Sequence, residues 1–357
     1  MKFFIYRIFS FISILLLTLS LELMFPVNKF TFRPWEALSF NNPILGHGRP
    51  FYPNTSLSMF SVGDLKHNTP HEIKRLEKWK TDKLGFRNNK YIYSPEILFI
   101  GDSFIAGSGV SQDSTITNLL SDKLGNKFLV YNMAPASFNY FLSLRNRNLI
   151  GKPKIIIFSI LERGLYNFQD HIDFNIVDKN NNFLTNLFDS IILSDNYFFT
   201  VLDRLNRMYS LTYLARKLGI SKNVYPRGIK NKNMFYQSIL ENDPTRIENI
   251  SSIIESINGY KKYCDSVGIK FIFIPLPNKN TIYHKDYGYH KQPDFLLKLL
   301  KEADYHNLEF INVQQIFSAY TKLNPNNYLY QFDDTHWNSN GINLLVDSII
   351  IKFNLAQ

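Results

Sequence analysis

Two stretches far apart in the chain carry residue types that together could do acyl chemistry. Gly101-Asp102-Ser103 follows the apolar run Ile97-Leu98-Phe99-Ile100, and the small residues Ala106, Gly107, Ser108 and Gly109 come soon after. Near the other end stands Asp333-Asp334-Thr335-His336-Trp337. A serine hydroxyl is a poor nucleophile alone. It needs a base to take its proton, a carboxylate to orient that base, and N–H donors for the oxyanion. Ser103 and His336, with Asp333 or Asp334, supply nucleophile, base and orienter in the chain order Ser, Asp, His. Each stretch alone has a plainer reading: Asp102 or Ser103 as a helix cap, His336 as a hydrogen-bonded structural histidine.

The elements that must position these groups follow from spacing. Four apolar residues between Pro95 and Gly101 read as a buried strand, and the glycines beyond it allow a sharp turn with the serine at its tip. After His336, the residues Ile342, Leu345, Val346, Ile349, Ile350 and Phe353 recur at helical spacing. Asn338 or Ser339 caps that helix, which puts the histidine on the loop just before it.

With these residues in view, the chain resembles the SGNH (GDSL) hydrolase superfamily over roughly residues 80–357, less the stretch 164–246. In that family a Gly-Asp-Ser on the first strand and an Asp-x-x-His or Asp-x-His near the C-terminus form the triad. Ser103 matches the nucleophile and His336 the base; Asp333 fits one spacing and Asp334 the other. The Trp337 after the histidine is similar to a branch of envelope O-acetyltransferases that acetylate alginate, which favours Asp334. The second block falls on Asn132-Met133-Ala134-Pro135-Ala136-Ser137, with Ser137 where the oxyanion glycine is expected; its backbone N–H, with that of Ser103, would hold the oxyanion. The third block, Gly-x-Asn-Asp, is replaced by Leu161-Glu162-Arg163. The arginine there suits a substrate carboxylate, and an internal brace by Glu162 and Arg163 is the alternative. Glu162, Arg163, Asn132, Lys279 and Trp337 are the residues expected around the substrate. No cofactor or metal is implied. His67 and His71 are four apart, but Pro70 between them breaks the helix that would pair them on a metal.

Alternating elements frame these blocks. A helix is expected over 113–124, a strand over 128–131, a helix over 138–150 and a strand over 154–160. Further on come a helix through Ile250, Ile254, Ile257 and Cys264, a strand over 269–274, a helix over 294–303 and a strand over 309–313. Such alternation gives an α/β fold with a parallel sheet covered on both faces, and the resemblance makes it a three-layer doubly wound sheet of the flavodoxin-like kind. Loops beyond the strand C-termini form the site in such sheets. Ser103, Ser137, Glu162, Arg163 and the loop Pro275-Leu276-Pro277-Asn278-Lys279 all fall there.

The expected organisation is a cytoplasmic tail over 1–7, a transmembrane anchor over 8–25, a lead-in with short strands over 26–94, and the hydrolase-like domain over 95–357. Lys2 and Arg7 precede an apolar run of about 18 residues, enough to cross a bilayer core with the N-terminus inside. A cleaved signal peptide competes, but Leu21-Glu22-Leu23-Met24 is too bulky for a cleavage site. In the lead-in, strands separated by Gly and Pro suit an edge hairpin. Asp82-Lys83-Leu84-Gly85-Phe86-Arg87 is similar to a lead-in of anchored SGNH-like proteins. The insertion over 164–246 breaks the alternation; Leu202, Leu205, Met208 and Leu211 mark one helix in it, a lid, docking element or capping helix.

With 357 residues, 45% hydrophobic and 20% charged, the chain has a core to bury and is not disordered. Its single cysteine, Cys264, excludes an intrachain disulfide and suits packing. The net charge of +10 suits anionic glycans or lipid headgroups, and no nucleic-acid motif is present. The apolar N-terminal run, together with what the resemblance implies, makes the expectation a single-pass inner-membrane protein with a periplasmic serine esterase or O-acyltransferase domain acting on a cell-envelope polysaccharide. Transfer would require a multispanning acyl-donating membrane partner. The other reading is a catalytically inactive glycan-binding or envelope-assembly protein on an SGNH scaffold.

Overall fold

The computed structural model describes residues 2–24, 31–40, 50–64, 73–166, 168–173, 198–219, 229–230, 236–237, 249–287 and 289–355. The first is a long helix, α1 (Lys2–Met24), whose side chains are almost all exposed. A short helix, α2 (Pro34–Leu38), and an antiparallel hairpin of β1 (Ser56–Ser61) and β2 (Arg75–Lys80) make up the lead-in. This hairpin pairs Ser56 with Lys80 and Ser61 with Arg75, and it is a separate two-stranded sheet, not an edge of the main one. Its hydrophobic seat is aromatic: Phe51 and Trp79 meet edge-to-face at 5.3 Å, and Trp35 meets Phe51 at 5.1 Å.

The main sheet is parallel and runs in the order β4-β3-β5-β6, with β3 at Ile97–Ile100, β4 at Val130–Met133, β5 at Ile155–Leu161 and β6 at Lys270–Leu276. Every residue of β3 and β4 is buried, because helices cover both faces. Alternate strand residues fall into two separate clusters, as a period of two demands. Leu98, Ile100, Tyr131, Ile156 and Phe271 pack with α5 (Phe138–Asn146), α9 (Ile250–Ser266) and α11 (Phe295–Tyr305). Ile97, Phe99, Val130, Ile157 and Ile272 pack with α4 (Ile116–Lys123), α12 (Val313–Leu323) and α13 (Ser339–Lys352). Cys264 lies in the first cluster, and burial pushes its thiol up to about 12, which leaves it inert at neutral pH.

Several expected boundaries move for local reasons. The helix expected over 113–124 is a single 3₁₀ turn, Gln112–Ser114, followed by α4. The helix expected over 138–150 stops at Asn146, and Asn148 has a left-handed φ of +52° just beyond. A strand over 309–313 is not formed; Phe310 alone bridges Phe273, and Asn312 then caps α12 by accepting from the Gln315 N–H at 3.0 Å. The helix expected through Met208 is two, α7 (Phe198–Arg207) and α8 (Tyr209–Lys217), broken at Met208 with φ +44°. His67 and His71 lie outside the described residues.

Arg87 joins the lead-in to the loop after Ser103. Fully buried, it stacks 3.9 Å from the Trp79 ring and donates to Ala106 O, Gly107 O, Val110 O (2.8 Å), Lys78 O (3.2 Å) and Gln112 Oε1 (3.1 Å). Asp82 organises its own turn, accepting from Leu84 N, Phe86 N, Asn88 Nδ2 and the Tyr131 hydroxyl; burial pushes its carboxyl up to about 6. Arg87→Met strands those carbonyls in the interior and is expected to destabilise the fold by at least about 3 kcal/mol. A urea unfolding midpoint of the full chain in detergent checks it.

Candidate active site

The candidate nucleophile, Ser103, is positioned by tight local geometry. Gly101 ends β3 where any Cβ would lie 2.6 Å from Ile105 Cγ1 and 2.7 Å from Ser159 O, so only glycine fits. Asp102 caps α3 (Ser103–Ala106): Oδ1 accepts from Phe104 N at 2.9 Å, and Oδ2 accepts from Leu161 N at 2.8 Å, tying the end of β3 to that of β5. Asp102 is thus a brace, and Ser103 follows it, half-buried, at the first position of the helix.

Ser103 Oγ lies 2.8 Å from His336 Nε2, and His336 Nδ1 lies 2.6 Å from Asp334 Oδ1. His336 and Asp334 are buried, and the Phe104 ring packs at 4.6 Å against the imidazole. Asp334 Oδ1 also accepts from the His336 backbone N–H at 3.0 Å, while Oδ2 accepts from Asp64 N and Arg75 Nη2, both at 3.2 Å. Burial alone would raise the Asp334 pKa. The His336 imidazole, Arg75 and Arg33 outweigh it and hold the carboxyl well below the usual range, so it stays ionised.

The adjacent acid has another role. Asp333 accepts from Gly63 N (2.8 Å), Ile73 N (3.0 Å) and Arg75 Nη1 (2.8 Å), so Asp334 and not Asp333 meets the ring. Asp64 approaches the same imidazole, its Oδ2 3.7 Å from Nδ1, while its oxygens accept from Thr335 N at 2.9 Å and Thr335 Oγ1 at 2.5 Å. Asp64, Asp334 and His336 bring ligand-type atoms within 4.8 Å of one another. Thr335, Arg75 and Ser103 already engage those atoms, so the trio reads as a hydrogen-bond network.

Gly63, Asp64 and Arg75 are what the sequence did not reveal: the lead-in clamps the loop that carries Asp333, Asp334 and His336 from outside. A Cβ on Gly63 would lie 1.8 Å from Asp333 O, so Gly63→Ala must push that loop away. If Ser103 and His336 catalyse ester hydrolysis, a displacement near 1 Å at His336 is expected to cost about 10²-fold in that rate. Hydrolysis of p-nitrophenyl acetate by the full chain measures this.

Four residues expected around the substrate are instead sealed in the protein. Lys279, the first residue of α10 (Lys279–Ile282), is fully buried, and its Nζ donates to Gln331 O (2.5 Å), Phe332 O (3.1 Å) and Asp334 O (3.0 Å), a prop under the loop that carries Asp334 and His336. Glu162, the first residue of α6 (Glu162–Leu165), is fully buried and accepts from Tyr166 Oη (3.1 Å), Asn278 N (2.9 Å) and Thr281 Oγ1 (2.6 Å). Asn132 donates to Ile105 O and accepts from Ala134 N, both at 2.9 Å. Trp337 is core, edge-on to Phe104 at 5.4 Å. In each case burial among the surrounding carbonyls, N–H groups or rings closes the side chain to a ligand. Arg163 is half-buried, its backbone N–H donating to Asn278 Oδ1 at 3.3 Å. Ser137 is exposed after β4 and caps α5, its hydroxyl accepting from Tyr140 N at 3.2 Å.

No protein-family profile matches the chain, and no curated protein does. Among solved structures it is similar to a lipase/acylhydrolase from Enterococcus faecalis, at 14% identity and a TM-score of 0.37, over 73% of this chain and 95% of that one. It is also similar to a protein from Bacteroides fragilis NCTC 9343 described as an acylhydrolase, at 11% identity and a TM-score of 0.34, over 73% and 86%. At these values neither likeness bears on what the chain does, and the functional assignment rests on the site itself.

Proposed function

We propose that the chain is a membrane-anchored serine esterase or O-acyltransferase with an SGNH-type three-layer fold, acting on acyl esters of a cell-envelope polysaccharide. The observation that carries this reading is the continuous line from Ser103 Oγ through His336 to Asp334, at 2.8 and 2.6 Å. Ser103 Oγ attacks the acyl carbonyl carbon, and its proton passes to His336 Nε2. Asp334 holds the Nδ1–H side and stabilises the imidazolium that forms. The backbone N–H groups of Ser103 and Ser137 stabilise the oxyanion; one such donor contributes about 3 kcal/mol. The tetrahedral adduct then collapses, the C–O bond to the leaving alkoxide breaks, and His336 returns the proton to it. Water completes hydrolysis; a sugar hydroxyl completes transfer. Either regenerates Ser103 with the same proton path in reverse.

The span over Phe3–Met24, with mean hydropathy 2.0, supports an anchor in the inner membrane. Arg7 near its start supports an N-terminus inside and a periplasmic catalytic domain. Arg163, beyond β5, suits the carboxylate of an acidic sugar. A single span cannot bring acyl groups from cytoplasmic coenzyme A, so transfer implies a multispanning acyl donor.

A fluorophosphonate probe tests the reading against that of an inactive glycan-binding protein. It should label the wild type and neither Ser103→Ala nor His336→Ala. Folded wild type that stays unlabelled would favour the binding protein.

A further inference from the structure

α7 and α8 take no part in the acyl chemistry, yet both are held in place. α7 docks on the lead-in: Asp203 Oδ2 accepts from the Tyr52 hydroxyl (2.8 Å) and Arg207 Nε (3.0 Å), and Arg207 Nη1 donates to Glu36 O (3.2 Å). α8 is tied to the far end of α1. The Glu22 carboxylate accepts from the Ser210 N–H at 3.1 and 3.2 Å and from the Ser210 hydroxyl. A carboxylate there satisfies an orphan N–H of the first turn and complements the helix dipole, so Glu22 is buried without being unpaired.

α8 also carries an apolar stripe that the described residues leave uncovered. Leu211, Leu214 and Leu218 are 54%, 50% and 63% exposed, and Met208 at the break is 53% exposed. Their spacing is that of one helical stripe, which ordinarily faces something apolar. Continuity with α1 says what. From Phe3 to Leu21, α1 rises about 27 Å at roughly 1.5 Å per residue, close to the ~30 Å of a hydrocarbon core, and the Arg7 guanidinium, 5.7 Å from the Phe3 ring, turns back toward the inner headgroups. Glu22 therefore stands at headgroup depth, and Ser210, bonded to it, starts α8 at the same depth. The exposed Lys217 near the end of α8 suits an anionic lipid surface.

We infer that α8 is an interfacial helix: its stripe of Leu211, Leu214 and Leu218 lies at the acyl boundary of the leaflet from which α1 emerges. Glu22 locks the two helices together, so the anchor fixes the orientation of the catalytic domain on the membrane as well as its location. This inference rests on the reading of α1 as a span, and the test separates the two.

Single cysteines at Leu214, Leu15 and Lys127 in the full chain, labelled with an environment-sensitive fluorophore, are reconstituted into phosphatidylcholine vesicles containing phosphatidylglycerol. Buried Cys264 stays unlabelled. Quenching is read from lipid-borne nitroxides, shallow and deep, and from aqueous iodide. The Leu214 probe should be quenched by the shallow nitroxide several-fold more than the Lys127 probe, and the Leu15 probe by the deep one. If Leu15 is quenched by lipid while Leu214 responds only to iodide, the span stands and the interfacial helix is wrong. If neither meets lipid, the span itself is wrong and the inference falls with it. A Leu214 probe shielded from iodide but unreached by nitroxide means that protein covers the stripe, which also overturns the proposal.

Discussion

Ser103→Ala and His336→Ala are each expected to slow ester hydrolysis by about 10⁶-fold, and the double variant to be no slower than either single one. The reason is the shared proton path. Without the imidazole the hydroxyl keeps its proton, and without the hydroxyl the imidazole has nothing to activate. The Ser103 side chain meets His336 at 2.8 Å and is half-exposed, so its loss leaves the core intact and the effect falls on rate rather than folding. Steady-state hydrolysis of p-nitrophenyl acetate by the three variants, alongside circular dichroism, checks both the size and the non-additivity.

The two neighbouring acids should separate just as clearly. Asp334→Asn is expected to reduce kcat by about 10⁴-fold, because an amide facing Nδ1 favours the wrong imidazole tautomer and no longer stabilises the imidazolium. Asp333→Asn, which weakens the bond from Arg75 but leaves the relay in place, should cost about 1.5–3 kcal/mol of stability and keep kcat within about tenfold. The Asp334 carboxyl titrates well below its ordinary value, so the stability it contributes is present above the unfolded carboxylate value of about 3.9 and is lost as pH falls through its folded value. The stability gap between wild type and Asp334→Asn should therefore shrink as the solution is acidified below that point, read by urea unfolding.

What the residues revealed by themselves was local. Four apolar residues between Pro95 and Gly101 are too few for a helix and read as a buried strand and a turn, and the spacing after His336 reads as a helix. Asp64 and Arg75 were illegible: single polar residues in an irregular lead-in reach Thr335, Asp333 and Asp334 across more than 250 positions, and spacing carries no trace of that. The opposite error came from residue type. Lys279 and Glu162 open short helices just beyond the strand ends and Asn132 lies near the end of β4, places where a polar side chain suggests a ligand, but each satisfies buried backbone groups that the neighbouring turns leave unpaired. Polarity near a site marks a demand for hydrogen bonds and does not say whether the protein or a substrate makes it.

The central claim is that Ser103 carries the acyl group. Mixing the full chain with p-nitrophenyl acetate, quenching in acid within the first turnover and mapping the peptides by mass spectrometry tests it directly. An acetyl group on the peptide that contains Ser103, absent from Ser103→Ala, is the predicted result. Hydrolysis that proceeds with no acetyl on that peptide, or with the acetyl on another residue, would contradict it.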